Sequence, residues 1–138
     1  MTLNEIIRLN EEFADATPET ILSYFLDRFG DRIALSSSLS IEDQVLTDMI
    51  CKLKPSARIF TLDTGRLFPE TYSLIDRTAM RYGIRLQVFF PDRAEVEKLV
   101  ADCGMNGFYE SLEKRKRCCR VRKLEPLERA FQGLDAWI

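Results

Sequence analysis

Two periods of hydrophobic residues divide this chain into alternating helices and strands. Apolar residues recurring every three or four positions predict helices, whereas short apolar runs between turn residues predict strands. The predicted helices cover 3–14, 18–29, a segment starting at 41, 69–82, about 94–102, and a stretch from 109 onward that is interrupted near Glu125-Pro126, since proline disfavours helix at the preceding residue. The predicted strands cover 32–36, 57–62 and 85–90, and an apolar strand start follows at 135–138.

Strands that alternate with helices indicate βαβ units. They predict an α/β fold, with a parallel sheet and helices on both of its faces. The length of 138 residues suits one domain with a real hydrophobic core. Ligands in such sheets bind beyond the carboxyl ends of the strands, and two of those ends are here the polar turns 36–40 and 63–66.

Composition narrows the function classes. A net charge of −2 argues against a basic surface that coats nucleic acid, so no nucleic-acid partner is expected. No apolar run approaches the roughly 20 residues that span a bilayer, and no signal peptide is visible, so we expect no membrane partner and a cytoplasmic location. The chain has no histidine, which excludes Cys₂His₂ zinc sites.

The serine-rich turn 36–40 admits two interpretations. The hydroxyls of Ser37, Ser38 and Ser40, together with free N–H groups at a helix start, could hold a phosphate or sulfate. Alternatively, Ser40 or a neighbour merely caps the helix, and Glu42-Asp43 favour its positive end. The Gly-Lys-Ser/Thr ending of a Walker loop is missing.

The second turn follows the strand that ends at Leu62. Asp63, Thr64 and Arg66 offer a carboxylate, a hydroxyl and a guanidinium around Gly65, a set that could bind a ribose and a base. An ordinary βα turn with an Asx-type hydrogen bond explains the same residues equally well.

Adjacent cysteines lie in the most basic part of the chain. Cys118 and Cys119 fall within residues 114–123, a window of ten residues of which seven are Lys or Arg. Positive charge drives a thiol toward the thiolate, which binds soft metals or attacks electrophiles, and it also attracts phosphate or sulfate. A solvated basic helix face and an arginine-rich nucleic-acid contact are the alternatives. We expect no direct Cys118–Cys119 disulfide, because its ring is strained, and we expect Cys51 and Cys103 to be buried structural thiols.

The order of these motifs resembles the assimilatory adenylylsulfate (APS) reductases, which belong with the phosphoadenylylsulfate (PAPS) reductases in the adenine-nucleotide alpha-hydrolase-like group. The similarity extends from about Ile33 to Trp137. The segments that carry it are the serine-rich turn with Ile41-Glu42-Asp43-Gln44-Val45-Leu46, then Thr61-Leu62-Asp63-Thr64-Gly65-Arg66-Leu67-Phe68-Pro69-Glu70-Thr71-Tyr72, then Asn106-Gly107-Phe108-Tyr109, and finally Cys118-Cys119-Arg120-Val121-Arg122-Lys123-Leu124-Glu125-Pro126-Leu127.

The resemblance implies a role for each segment. The serine-rich turn corresponds to a modified pyrophosphate loop for the phosphosulfate, and main-chain groups around Leu62 would face the adenine. Cys118 and Cys119 match a vicinal pair that ligates a [4Fe–4S] cluster, and Lys123 matches a lysine between cluster and substrate. The vicinal pair favours APS over PAPS as substrate. A cysteine in a C-terminal tail would attack the sulfur of APS, AMP would leave, and thioredoxin or a similar dithiol would release sulfite.

This chain departs from the family pattern in two places. Leu39 and Ser40 stand where relatives carry an aromatic or serine and then a glycine. The sequence also stops at Ile138, before the family's downstream Cys-x-x-Cys pair, its phosphosulfate-binding arginines and its nucleophilic tail cysteine. We therefore interpret residues 1–138 as one nucleotide-binding domain, incomplete at its C-terminus, that is inactive alone and holds no stable cluster.

Three alternatives remain open at this point: a PAPS reductase, a non-catalytic adenine-nucleotide-binding module, and a pyrophosphatase-type sulfur transferase acting on RNA. The missing glycine-rich pyrophosphate loop counts against the last. The sequence leaves open whether the chain forms a homo-oligomer.

Overall fold

A computed structural model describes all residues from Met1 to Ile138. The helices are α1 (Leu3–Glu12), α2 (Pro18–Phe29), α3 (Ile41–Leu53), α4 (Pro69–Tyr82), α5 (Arg93–Cys103), α6 (Leu112–Cys119) and α7 (Glu125–Ala130), and the strands are β1 (Ile33–Ser36), β2 (Arg58–Leu62), β3 (Gln87–Phe89) and β4 (Ala136–Trp137). Single 3₁₀ turns lie at Gly30–Arg32 and Gly107–Tyr109. None of the helices combines the length and the apolar character that crossing a membrane requires.

The four strands form one sheet in the order β3-β2-β1-β4, and every neighbouring pair is parallel. This confirms the predicted parallel sheet. The 135–138 segment does form a strand, in which Ile138 N–H donates to Ala34 O over 3.0 Å and Ile138 O accepts from Ser36 N–H over 2.9 Å. The carboxyl ends of β1 and β2 therefore lie side by side.

Alternate residues of the central strands face two separate cores. Leu35 of β1 and Ile59 of β2 pack with Leu22, Leu26 and Ile50 from α2 and α3. Ala34 and Phe60 point to the other face, where they meet Ala130 of α7. Apolar residues on both sides of each strand are typical of a parallel sheet covered by helices on both faces, as predicted.

Element boundaries differ from the prediction by at most three residues, and those of α2 and α4 match it. Helix α2 begins as expected, with Pro18 in its first turn and the Thr17 hydroxyl accepting from Thr20 N–H, and it ends at Gly30. Strand β3 is only Gln87–Phe89, shorter than the predicted 85–90, because it is an edge strand that pairs with β2 alone.

The predicted interruption at Glu125-Pro126 is wrong, because Glu125 is helical and Pro126 is accommodated in the first turn of α7. The irregularity lies just before these residues. Residues Arg120–Leu124 form a π-helical turn between α6 and α7, in which Glu125 N–H donates to Arg120 O, five residues back. Pro126 has no N–H and cannot bond the carbonyl of Arg122, four residues before it. One α-helical hydrogen bond is therefore absent in any case, and a π turn sacrifices fewer bonds here than in the middle of a regular helix. Because a π turn contains more residues than an α-helical turn, the side chains after Cys119 point in directions that a regular α-helix would not give them.

Candidate functional site

A cleft of about 690 Å³ opens at the carboxyl ends of β1 and β2. It brings together the serine-rich turn, the turn after β2 and the vicinal cysteines, which are far apart in sequence. The lining residues are Ser36, Ser37, Ser38, Thr61, Leu62, Thr64, Arg66, Leu67, Thr71, Phe108, Arg115, Cys118, Cys119, Arg122 and Lys123. The position agrees with the rule for ligand sites in open parallel sheets.

The serine-rich turn is held by an internal bond and by bonds to Asp43 of α3 and Phe60 of β2. Ser38 donates both its N–H and its hydroxyl to Asp43 Oδ2, each over 2.6 Å. Leu39 N–H donates to Ser37 Oγ over 3.1 Å, and Ser37 N–H donates to Phe60 O over 2.8 Å. Ser40 makes no capping bond with its side chain and does not line the cleft. Asp43, in the first turn of α3, instead holds Ser38.

Leu39 gives this turn its shape. Its φ of +65° lies in the left-handed region, which an L-residue other than glycine enters at a cost of about 1–2 kcal/mol. The side chain is only 7% exposed, so burial offsets that cost. The turn thus reaches a glycine-like backbone conformation at Leu39.

The second turn contains the Asx-type bond expected of an ordinary βα turn. Asp63 is 4% exposed, and its Oδ1 accepts from Gly65 N–H over 2.7 Å and from the Tyr72 hydroxyl over 3.2 Å. This hydrogen bond to Asp63, with burial, raises the pKa of Tyr72. Neither Asp63 nor Gly65 lines the cleft, whereas Leu62, Thr64 and Arg66 do.

Arg66 is bonded to protein rather than free for a ligand. Its Nη1 donates to Met105 O and its Nη2 to Asn106 Oδ1, each over 2.9 Å. The guanidinium also lies 4.8 Å from the ring centroid of Phe108. Arg66 therefore fastens the loop between α5 and α6, which places Phe108 on the cleft wall.

Arg122 is a cleft residue that the sequence interpretation did not name individually. It is 7% exposed, and its Nη1 donates to Thr64 O over 2.7 Å. A Cβ on Gly65 would lie 3.1 Å from the same nitrogen, so a side chain there would crowd the guanidinium. The basic window 114–123 indicates positive charge, but it does not single out Arg122, which lies buried in the π turn.

The cleft is electropositive. Its lining includes Arg66, Arg115, Arg122 and Lys123, and no carboxylate. Arg66 and Arg122 each donate to main-chain carbonyls, whereas Lys123 is exposed and makes neither a hydrogen bond nor an ion pair. Lys123 is therefore free to meet an anionic ligand.

The vicinal thiols lie at the end of α6 on the cleft wall. Cys118 is half-buried, Cys119 is exposed, and both are free thiols. No group of three His, Cys, Asp or Glu side chains that could hold a metal ion occurs in the structure. Since an iron–sulfur cluster of this type takes four cysteine ligands, the residues present do not fit a complete cluster.

The two remaining cysteines are half-buried rather than fully buried. Cys51 packs against the core under α2 and α3, and burial, assisted by the Asp48 charge, raises its pKa. Cys103 Sγ lies 3.6 Å from Arg117 Nη1. Neither lines the cleft.

A larger depression of about 860 Å³ lies between α3 and α4, and it shares no lining residue with the cleft. Its walls carry ion-paired and exposed residues such as Asp48, Lys52 and Met80, and none of the predicted site residues. Size alone therefore does not identify the candidate site.

Comparison with known proteins decides the family. The sequence profile of the phosphoadenosine phosphosulfate reductase domain matches residues 32–138. The chain belongs to this reductase family. This match confirms the family that the motif order indicated.

Curated relatives in the reductase family carry more specific names. An adenosine 5′-phosphosulfate reductase of Rhizobium meliloti is 49% identical over 107 residues, which cover 78% of this chain and 40% of that protein. One from Pseudomonas aeruginosa is 43% identical and covers 94% of this chain and 47% of its own length. 5′-Adenylylsulfate reductase 3, chloroplastic, of Arabidopsis thaliana is also 43% identical, over 94% of this chain and 28% of its own. The chain thus spans less than half the length of these relatives.

A solved member of the family has the same fold. The crystal structure of a phosphoadenylyl-sulfate (PAPS) reductase from Candida auris, a phosphate complex, superposes with a TM-score of 0.85. It is 24% identical in sequence, and the match covers 99% of this chain and 66% of that one.

Proposed function

We propose that this chain is the nucleotide-binding part of an APS reductase, which reduces adenylylsulfate to sulfite and AMP in assimilatory sulfate reduction. The observation that carries the proposal is the cleft, where the serine-rich turn, the turn after β2 and the vicinal cysteines meet under four basic side chains. The names of the relatives at 43–49% identity support APS as the substrate.

Different residues of the cleft bind the two ends of the substrate. Ser37 and Ser38, at the end of β1, face the phosphosulfate, and main-chain groups around Leu62 and Thr64 face the adenosine. Asp63 and Gly65 act behind this surface by shaping the turn after β2, and Arg66 acts through Phe108. Ser40 lies outside the cleft lining.

Lys123 supplies the free positive charge. Nucleophilic attack on a sulfur that carries anionic oxygens is slowed by repulsion, and a cation aimed at those oxygens lowers that barrier. Arg115 and Arg122 extend the field, although Arg122 also ties the cleft to the turn after β2.

The nucleophile belongs to the whole protein, outside residues 1–138. We propose that its thiolate attacks the substrate sulfur, AMP leaves, and a dithiol such as thioredoxin releases sulfite from the S-sulfonated cysteine. A cytoplasmic setting, which keeps thiols reduced, suits this chemistry.

Cys118 and Cys119 are proposed as two of the four ligands of a [4Fe–4S] cluster, whose other two ligands would come from outside this chain. When bound, the cluster would add an electrostatic influence beside the sulfate end of the substrate.

Calorimetric titration of the 138-residue protein with AMP and with APS tests the binding proposal. We expect saturable binding of both nucleotides. Lys123→Met should weaken the binding of APS at least about tenfold more than the binding of AMP, which corresponds to a difference of about 1.4 kcal/mol in binding free energy. Lys116→Met is the matched control, because Lys116 is exposed in the same basic window but does not line the cleft. Equal weakening by both variants would contradict a specific role for Lys123.

Substrate choice and turnover separate the alternatives. Preference for the 3′-phosphorylated nucleotide PAPS would identify a PAPS reductase. We expect the 138-residue protein, incubated with APS and thioredoxin, to release no sulfite and to hold no stoichiometric iron or sulfide after anaerobic purification. Turnover by this polypeptide would refute an external nucleophile.

A further inference from the structure

A second pair of cysteines faces a small cavity behind the cleft. Cys103, the last residue of α5, and Cys118, near the end of α6, both line it, together with residues of the intervening loop. The cavity holds about 10 Å³, which is close to a single water probe and too small for a ligand. The two thiols therefore approach the same enclosed space from different helices.

Contacts around Cys103 show which face of α6 it meets. Its Sγ lies 3.6 Å from Arg117 Nη1, and Lys114 lines the same cavity. Residues 114, 117 and 118 are three and four positions apart, so they share one face of α6. Cys118 is thus presented toward α5 on the face that Cys103 contacts.

Gly107 permits this close packing. A Cβ at Gly107 would lie 2.8 Å from Cys103 Cβ and 3.7 Å from Lys114 Cδ. A side chain at position 107 would force Cys103 or the loop to shift. Gly107 thus lets the loop between the helices lie directly against Cys103.

We propose that Cys103 and Cys118 form a reversible disulfide that links α5 to α6. With hydrogen peroxide as oxidant, the thiolate of one cysteine attacks a peroxide oxygen and gives a sulfenic acid and water. The second thiol then displaces that hydroxyl as a second water, forming the S–S bond. Two thiols lose two electrons and two protons in total, and the peroxide accepts them.

The other two cysteines are poorer partners for Cys118. Cys119 is adjacent in sequence, and a bond between neighbouring residues closes a strained ring. Cys51 packs against the α2–α3 core and does not line this cavity.

The cross-link has a consequence for the site. Cys118 lines both the small cavity and the cleft, so its sulfur cannot be both disulfide-bonded and a thiolate ligand for a soft metal. This consequence depends on the proposed function, whereas the disulfide itself does not.

Oxidation of the metal-free, fully reduced 138-residue protein with a small excess of hydrogen peroxide tests the proposal. We expect an intact-mass loss of about 2 Da that dithiothreitol reverses. Non-reducing tryptic digestion should then give peptide 99–114, which contains Cys103, linked to the tripeptide 118–120.

Single cysteine variants identify the partner. Cys119→Ser and Cys51→Ser should still lose 2 Da and yield the same linked peptides, as the disulfide chemistry requires. Cys103→Ser and Cys103→Ala should not. Circular dichroism of the reduced variants checks that they fold. Two different substitutions at Cys103 are used so that the test remains valid if one of the two variants is unfolded.

Three results would overturn the proposal: a disulfide within peptide 118–120, a linkage involving Cys51, or only sulfinic and sulfonic acids on unpaired cysteines. AMP binding, measured on the reduced protein, reports separately on the proposed function and is independent of all three.

Discussion

The turns at the ends of β1 and β2 lie side by side on one cleft but are stabilised in different ways. The serine-rich turn bonds to Asp43, five residues from Ser38. The turn after β2 also has a local bond, from Gly65 N–H to Asp63. In addition, Arg122 donates a hydrogen bond to Thr64 O of this turn, although the two residues are 58 positions apart. Arg66 likewise reaches Asn106, 40 residues away.

This difference shows how the cleft acquires its shape. The side-chain bonds of the serine-rich turn come from a short segment, although its backbone also pairs with Phe60 and Ile138. The turn after β2 takes its final form only when the α5–α6 loop and the π turn dock against it. Substitutions should therefore act locally on one turn and at long range on the other.

Breaking the long-range tie should have the largest effect. Arg122→Met removes a buried, charge-assisted hydrogen bond and leaves Thr64 O without its partner, and we expect a loss of about 2–3 kcal/mol in the free energy of unfolding. Urea denaturation followed by circular dichroism measures it. Lys123→Met, the same substitution at the next and exposed position, should change stability by less than about 0.5 kcal/mol. Similar losses for the two variants would mean that the tie contributes nothing.

Crowding the same tie should cost less. Gly65→Ala places an L-residue at φ +71° and its Cβ 3.1 Å from Arg122 Nη1, so we expect about 1–2 kcal/mol of destabilisation. Gly83→Ala is the control, because Gly83 has φ +64° and a Cβ added there would have no atom within 4 Å. The excess for Gly65 over Gly83 measures the contact with Arg122, and it should shrink in an Arg122→Met background. An excess that persists there would assign it to another neighbour.

Opening the local turn should have a smaller effect on stability. Asp43→Ala removes both bonds to Ser38, but Ser38 is exposed and water replaces them, so we expect about 1 kcal/mol. Glu42→Ala, at an exposed position without such bonds, is the matched control. Thermal unfolding of both variants provides the measurement, and equal midpoints would show that Asp43 does not hold the turn.

The smallest expected effect concerns alkaline pH. The bond to Asp63, with burial, raises the pKa of Tyr72 above its usual 10.0 in the folded protein. The folded state therefore favours the neutral phenol, so this contribution is complete below pH 10 and is lost as pH rises through the folded pKa. Tyr72→Phe should lack that part of the alkaline decline, as measured by urea unfolding at several pH values. Parallel declines in the two proteins would contradict the assignment.

Local pattern was sufficient to predict the architecture. The period of three to four residues identified the helices, and short apolar runs between turn residues identified the strands, including the short β4 at Ala136–Trp137. Boundaries were less accurate where tertiary pairing decides them, as at the edge strand β3.

Both polar turns and the vicinal cysteines could be located from the sequence. The sequence could not tell which polar residues line the cleft and which hold the turns in shape. Asp63 and Arg66 carry groups that suit a nucleotide, yet both are bonded to the protein itself. The position of Arg122 in the cleft could not be predicted, because a regular helical period does not anticipate a π turn. Hydrogen bonds across tens of residues leave no periodic signal.

The bond between Arg122 and Thr64 also has a consequence for synthesis. Its two residues are separated by 58 positions, and ribosomes add about 5–20 residues per second, so Thr64 is made roughly 3–12 s before its anchor. The bonds between Ser38 and Asp43 can form during that interval, whereas the turn after β2 has to wait for the final helices to leave the ribosome.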